Sequence, residues 1–342
     1  MMETNEGVRE TPYSGLVHGL GVALTIAVFP LIWVGGLVTT YDAGMAVPDW
    51  PNTYGYNMFS YPASTWLFGP FDLLVEHSHR LLGTVAGLIS IGLVAAAVRY
   101  EARWWFKWWT VFVLLSVIAQ GALGGIRVLL DQRTFAMIHG CTGPLFFAIA
   151  TATAVMSSKW WWTRGGELGS QTAWSTPRTA WVAAGLLVAS YLQLTIGAQL
   201  RHVTGAVSHQ IFMAFVHSHL TMAGVVAILA IGLAATTSLR GQTPRQVRFP
   251  AGLLACVVLL QIALGIATWI VNYALPWQEL SESLAGYTIL AKGYWESIIV
   301  TAHMATGSLI ISLATVTALR AWRSRATGVA REVNRKWKQQ VA

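Results

Sequence analysis

The chain has 342 residues, of which 55% are hydrophobic and only 11% charged, with a mean hydropathy of +0.54. A soluble domain carries about 25% charged residues, so the composition excludes an ordinary globular enzyme and points to a membrane protein. The formal charge of +8 would suit a nucleic-acid binder, but the distribution of basic residues along the chain excludes that reading.

Eight apolar runs long enough to cross a bilayer occur near 15–38, 77–98, 106–128, 135–156, 179–200, 212–238, 250–272 and 297–319. The first contains Pro30, which membrane helices tolerate, and ends in Gly35-Gly36-Leu37. Segment 41–75 follows, with no Lys or Arg and many Pro, Tyr, Phe and Trp. It is long for a simple connection and is expected to cover the outer end of the helices. The second run opens on Glu76-His77-Ser78-His79-Arg80. The third holds Gln120-Gly121-Ala122-Leu123-Gly124 and Arg127, and the fourth carries His139 with Gly143 four residues on. The fifth contains Ile196-Gly197-Ala198 and ends at Arg201; His202 and His209 read as solvated loop residues. The sixth opens on Val216-His217-Ser218-His219-Leu220. The seventh repeats the third as Gln261-Ile262-Ala263-Leu264-Gly265, and the eighth repeats the fourth as His303 and Gly307.

These matches align the two halves helix by helix in one direction, a parallel repeat. The expected fold is all-α and integral to the membrane: eight transmembrane helices as two pseudo-symmetric four-helix bundles. The halves are 1–165 and 166–342, the second ending in a basic tail. With the N-terminus inside, 17 of the 22 Lys and Arg fall on the inside and 5 outside, which places both termini in the cytoplasm. The tail is then a topology and lipid-headgroup signal, not a nucleic-acid one. Glu3, Glu6 and Glu10 argue against a transit peptide, and a bacterial plasma membrane fits best. Cys141 and Cys256 lie far apart inside apolar runs, so no disulfide framework is expected. The 17 Trp residues cluster near helix ends as an aromatic belt.

Ionisable residues at membrane depth are functional-site candidates. His79, His139, His219 and His303 each fall within roughly the first two turns of an outside-to-inside helix, so all four are expected at one level near the outer face. Matched pairs in matched halves suggest two similar sites, each holding a planar or metal-centred group between helices. Residues two apart on a helix point about 200° apart, so only one histidine of each His-Ser-His faces a given site. The face of His79 continues through Gly83, Ala86, Gly87 and Ser90, leaving room for a flat ring system, so His79 is chosen. Gly224 lies on the face of His217, and His219 is chosen by the repeat. For His77 and His217 a hydrogen-bonding role at the start of the helix is expected. Arg80, Arg127 and Arg201 sit at the outer rim, where guanidinium groups pair with carboxylates or with lipid headgroups. Gln120 and Gln261 are expected to hydrogen-bond between helices.

Glu76-x-x-His79-Arg80, the paired histidines, and Gly36 to Met45 followed by Pro48-Asp49-Trp50-Pro51 together resemble the heme A synthase family over essentially all eight helices. The resemblance implies oxidation of a methyl group of heme O, through an alcohol, to the formyl group of heme A. It implies that His79 and His139 ligate the substrate heme and that His219 and His303 hold a heme b that handles electrons. Glu76, one turn before His79, would be the catalytic carboxylate, and Val216 stands in its place in the second half. The plainer role for Glu76 is an i,i+4 partner of Arg80. Arg80, Arg127 and Arg201 would meet the heme propionates. Implied partners are heme O, membrane lipids, a heme O synthase, an electron-transfer protein and a second copy of the chain. The cysteine pair that some relatives carry in outer loops is absent. Two other readings stand beside this one: a diheme cytochrome b serving quinol, which usually needs ligands near both faces, and a non-enzymatic heme carrier, which has no need of Glu76.

Overall fold

The structure, a computed structural model, describes residues 13–163, 175–202, 207–239, 243–273 and 293–341. Eight long helices make it up: α1 (Gly15–Thr40), α2 (Phe71–Tyr100), α3 (Trp104–Leu130), α4 (Arg133–Ser157), α5 (Pro177–His202), α6 (His209–Leu239), α7 (Arg245–Tyr273) and α8 (Tyr294–Val341). Each contains a window long and apolar enough to cross a membrane, and no β-strand occurs among the described residues. The chain is an all-helical, multi-pass membrane protein. Short helical turns at Ala43–Met45, Ala63–Leu67 and Lys159–Trp162 lie in the connections.

From α2 onward the helices begin earlier than the apolar runs, whereas α1 begins at Gly15 as expected. Ser14 caps α1, its hydroxyl accepting from the Val17 amide at 3.3 Å. Pro70 precedes α2, whose first turn is Phe71-Asp72-Leu73, six residues before the predicted start. As a result His79 is the ninth residue of α2, His139 the seventh of α4, His219 the eleventh of α6 and His303 the tenth of α8. His139 lies within the first two turns as expected, while His79, His303 and His219 sit between two and about three turns deep, because those helices start before their apolar runs. His202 and His209 end α5 and begin α6, so neither is a loop residue. At the other end α8 runs to Val341, well past 319, through Ala, Arg, Lys and Gln with no proline to stop it.

The two halves pack alike. α1 lies on α2, α2 on α3, α3 on α4, and α4 closes on α1; α5 to α8 repeat that ring. The bundles meet where α8 packs on α1 and α4 and where α4 packs on α5. Each bundle has its own core. Val17, Leu24, Val28, Ala86, Leu93, Phe106 and Phe146 fill the first, and Ala183, Leu186, Val226, Leu233, Leu254 and Ala314 the second. In α2 and α6 these core positions follow the histidine in sequence, and in the second bundle a smaller cluster of Phe212 and Val216 with Leu200, Met213 and Trp269 packs on the other side of His219. Between bundles, Thr151 and Ser312 hydroxyls lie 2.8 Å apart, both buried. Such interhelical bonds are worth roughly 0.6 kcal/mol each in a membrane, a modest supplement to close packing. Cys141 and Cys256 are free thiols.

Candidate functional site

The ring of His79 faces that of His139 with centroids 6.2 Å apart and planes at 88°. In the second bundle His219 faces His303 at 6.4 Å and 68°. The other histidine of each His-Ser-His points away. His77 is buried under the outer loop, its Nδ1 3.2 Å from the Thr53 hydroxyl and its ring against Tyr61 and Trp66. His217 is exposed.

Every one of the four rings rests on a glycine of the preceding helix. A Cβ on Gly35 would come within 2.7 Å of Cε1 of His79, and one on Gly197 within 2.9 Å of Cε1 of His219. On Gly124 and Gly265 it would stand 3.1 Å from Cε1 of His139 and His303. The glycines therefore seat the rings: a side chain at Gly35 or Gly197 would force the ring to move, and one at Gly124 or Gly265 would press on it. Along α2 the positions of Gly83 and Gly87, below His79, look onto open space, as does Gly121 of α3.

The ring nitrogens differ in their company. His79 Nδ1 donates to the Leu31 carbonyl at 3.1 Å; a carbonyl only accepts, so the proton is on Nδ1 and the Nε2 lone pair is left for a ligand. At the repeat-related place in α5 stands Gln193, whose amide nitrogen lies 3.2 Å from both Nδ1 and Nε2 of His219 and whose Oε1 is buried without a partner. The Nδ1 atoms of His139 and His303 are buried with no protein partner, each costing about 1–3 kcal/mol unless something else engages the ring. Gln120 crosses from α3 to donate to the His139 carbonyl at 2.8 Å, and accepts from Thr142 at 2.7 Å. Gly143 and Gly307 leave room for the amides of Gln120 and Gln261.

The outer loop is bound down over the first site. Glu76 is almost wholly buried; its Oε1 pairs with Arg80 at 2.8 Å and its Oε2 accepts from the Val47 amide at 3.1 Å. Arg80 was expected at the rim as a partner for ligand carboxylates. The structure commits it elsewhere: Nη1 donates to the carbonyls of Asp49 and Asn52 at 2.7 and 2.8 Å, and Nη2 to Val47 at 2.8 Å. An irregular loop leaves carbonyls without ladder partners, and the guanidinium supplies donors for three of them. The Trp50 ring covers Gly125, and the Arg127 guanidinium lies against Gly44. Arg127 is within electrostatic reach of Glu76, His79 and His139. Arg201 turns toward the other bundle, Nη2 donating to Thr40 Oγ1 at 2.6 Å and to the Gly36 carbonyl at 3.1 Å, with Nε buried and unpartnered.

Asp49 fixes the turn of this loop. Its two oxygens accept from the Tyr54 and Gly55 amides at 2.8 Å each, and Gly55 holds φ +79°, where glycine is at ease. Partial burial pushes the carboxyl up, but the Gly55 and Tyr54 amides and the charge of Arg80 outweigh it and hold it below its ordinary 3.8. A depressed carboxylate stabilises the fold above its unfolded value and loses that contribution as pH falls through its folded value. The turn should therefore hold at neutral pH and loosen below about 3.8. Amide resonances of Tyr54 and Gly55 followed against pH should titrate there and stay flat in Asp49→Asn; a midpoint above 3.8 refutes the assignment.

A family model described as cytochrome oxidase assembly protein (COX15-CtaA) matches residues 19–217, more than half of the chain. The chain belongs to that family. A search of curated proteins finds no match. For a cytochrome oxidase assembly protein of this family, the match spans α1 to α5 and the start of α6, and so includes His79, His139, Glu76, Arg127, Arg201 and the loop. It stops two residues before His219, so the second pair rests on the internal repeat and on its geometry.

Each pair places two imidazole rings at a spacing that would admit a metal ion between them. Imidazole nitrogen binds a transition metal at about 2 Å, so two rings on opposite sides of one atom have centroids roughly 6 Å apart, the spacing found in both pairs. Sequence reasoning missed the ring seats, the contacts of Leu31 and Gln193, and the commitment of Arg80. The pairing of Gly35 with Gly197 and Gly124 with Gly265 in the repeat was the one signal that could have found the seats.

Proposed function

We propose that the chain is a heme A synthase, oxidising a methyl group of heme O to the formyl group of heme A in a bacterial plasma membrane with both termini cytoplasmic. The observation that carries this is the pair of histidine pairs, at 6.2 and 6.4 Å with every ring seated on a glycine, in a chain of a cytochrome oxidase assembly family. The residues fit heme: neutral imidazoles lie at ligand spacing, the polar Nδ1 atoms of His139 and His303 lack protein partners, and a Cβ would fill the seats.

On this reading His79 and His139 hold heme O as substrate in the first bundle. His219 and His303 hold heme b, which supplies one-electron redox chemistry when bound. Leu31 fixes the His79 tautomer that leaves Nε2 available, and Gln193 lies against the His219 ring. Arg127 and Arg201 carry the positive charge that meets propionates, while Arg80 and Glu76 keep the loop closed and water out of the first site. Glu76 is the carboxylate nearest the first pair in sequence and the one proposed to accept or return a proton. The asymmetry with Val216 assigns chemistry to the first half. A heme O synthase and an electron-transfer protein are the expected partners.

The test is a pyridine hemochrome spectrum with chromatography of hemes extracted from the purified protein, expressed with and without a heme O synthase. Heme b accompanied by heme O or heme A is expected. Heme b alone under co-expression overturns the reading.

A further inference from the structure

The two histidine pairs share a wall. In α1, Gly35 seats the ring of His79, and the next residue, Gly36, meets Met304 of α8, the neighbour of His303. A Cβ on Gly36 would overlap the Met304 methyl and stand 3.0 Å from Thr301 Cγ2. Hydrogen bonds lock the same stretch. The Thr40 hydroxyl donates to the Gly36 carbonyl at 2.8 Å, and it accepts from Arg201 at 2.6 Å and from Thr301 at 3.2 Å. Thr40 and Thr301 are both buried. Residues of α1, α5 and α8, drawn from both bundles, thus fix one helix against another at the depth of the ligands. Close-packed interiors pass displacements on rather than absorbing them.

We propose that Gly36 and Met304 are positioning residues that couple the two sites: their contact sets the placement of His303, so that a disturbance on the α1 side is felt at the His219–His303 pair and the reverse. The chain of contact runs from the His79 ring through Gly35 and Gly36 to Met304 and His303. This rests on the reading that each pair holds a heme. Adjacency alone does not demonstrate coupling, whereas matched substitutions do.

The test uses heme-loaded protein purified in detergent. Low-spin electron paramagnetic resonance signals and reduction midpoints are recorded for both hemes, the first-half signals being assigned from His303→Ala. Gly36→Ala is expected to shift the signal and midpoint of the second-half heme, although the substitution lies in a first-half helix. Adding Met304→Leu to it should restore both, since that side chain keeps its packing but ends one atom short of the Met304 methyl that the new Cβ meets. An unmoved second-half signal, or one the double variant does not restore, overturns the proposal. If Gly36→Ala does not fold, Met304→Ala, which only removes atoms, is expected to shift the first-half signal by reciprocity; an unchanged signal overturns it equally. Wild-type protein without heme fails the functional reading and the coupling together, whereas heme present with uncoupled signals fails the coupling alone.

Discussion

Replacing Glu76 with alanine is expected to abolish heme A formation while heme remains bound through His79 and His139. The same change should loosen the outer loop, because Glu76 Oε2 holds the Val47 amide and Oε1 balances Arg80. Breaking a buried ion pair from one side costs about 3–5 kcal/mol; here the three carbonyls on Arg80 hold the loss toward the lower figure. The two effects separate experimentally. Extracted hemes report the chemistry, and protease cleavage of the loop in membranes reports closure. Glu76→Gln keeps an acceptor for Val47 and should retain much of the closure, yet still lack heme A. Full heme A production in either variant removes Glu76 from the proton-handling role.

The second large effect concerns the seats. Gly35→Val should cost the protein its first-half heme and Gly197→Val its second-half heme, each leaving the other site filled. The added Cβ would lie 2.7 Å from His79 and 2.9 Å from His219, distances that force the ring to move. Overpacking of this kind costs about 1–3 kcal/mol, which weakens heme affinity roughly fivefold to 150-fold. The heme-to-protein ratio, with chromatography to tell which heme is missing, measures it. If both variants lose the same heme, or neither loses any, the seats do not position ligands.

Much of this architecture was legible in the sequence because it rests on periodicity. Apolar length gave the spanning helices, and the repeat gave their pairing into two rings. The 200° separation of His77 and His79 selected the histidine whose ring faces His139, and the small residues Gly83 and Gly87 marked its face. In the second half that argument was ambiguous, since Gly224 favours the face of His217; the repeat chose His219, which does meet His303. What escaped was whatever depends on backbone partners. Nothing in the text of the chain says that Arg80 will find the carbonyls of residues 47, 49 and 52, because carbonyls are common to every residue. Helix starts escaped for a related reason: Phe71-Asp72 and His209-Gln210 are too polar to read as membrane, yet continue the helix into the outer interface. Arg201 was read as a rim cation for its own bundle and proves to clasp the neighbouring one, a relation set by tertiary docking alone.

The identical closure of the two helix rings has a practical consequence. Each feature of the first site has a counterpart at a matched position of the second: Gly35 and Gly197, Gly124 and Gly265, Leu31 and Gln193, Glu76 and Val216. The molecule therefore contains its own control experiment. A change made at one position can be read against its twin in the same protein, in the same membrane and at the same depth. Any difference in outcome then belongs to what the halves do not share, above all the loop and its carboxylate.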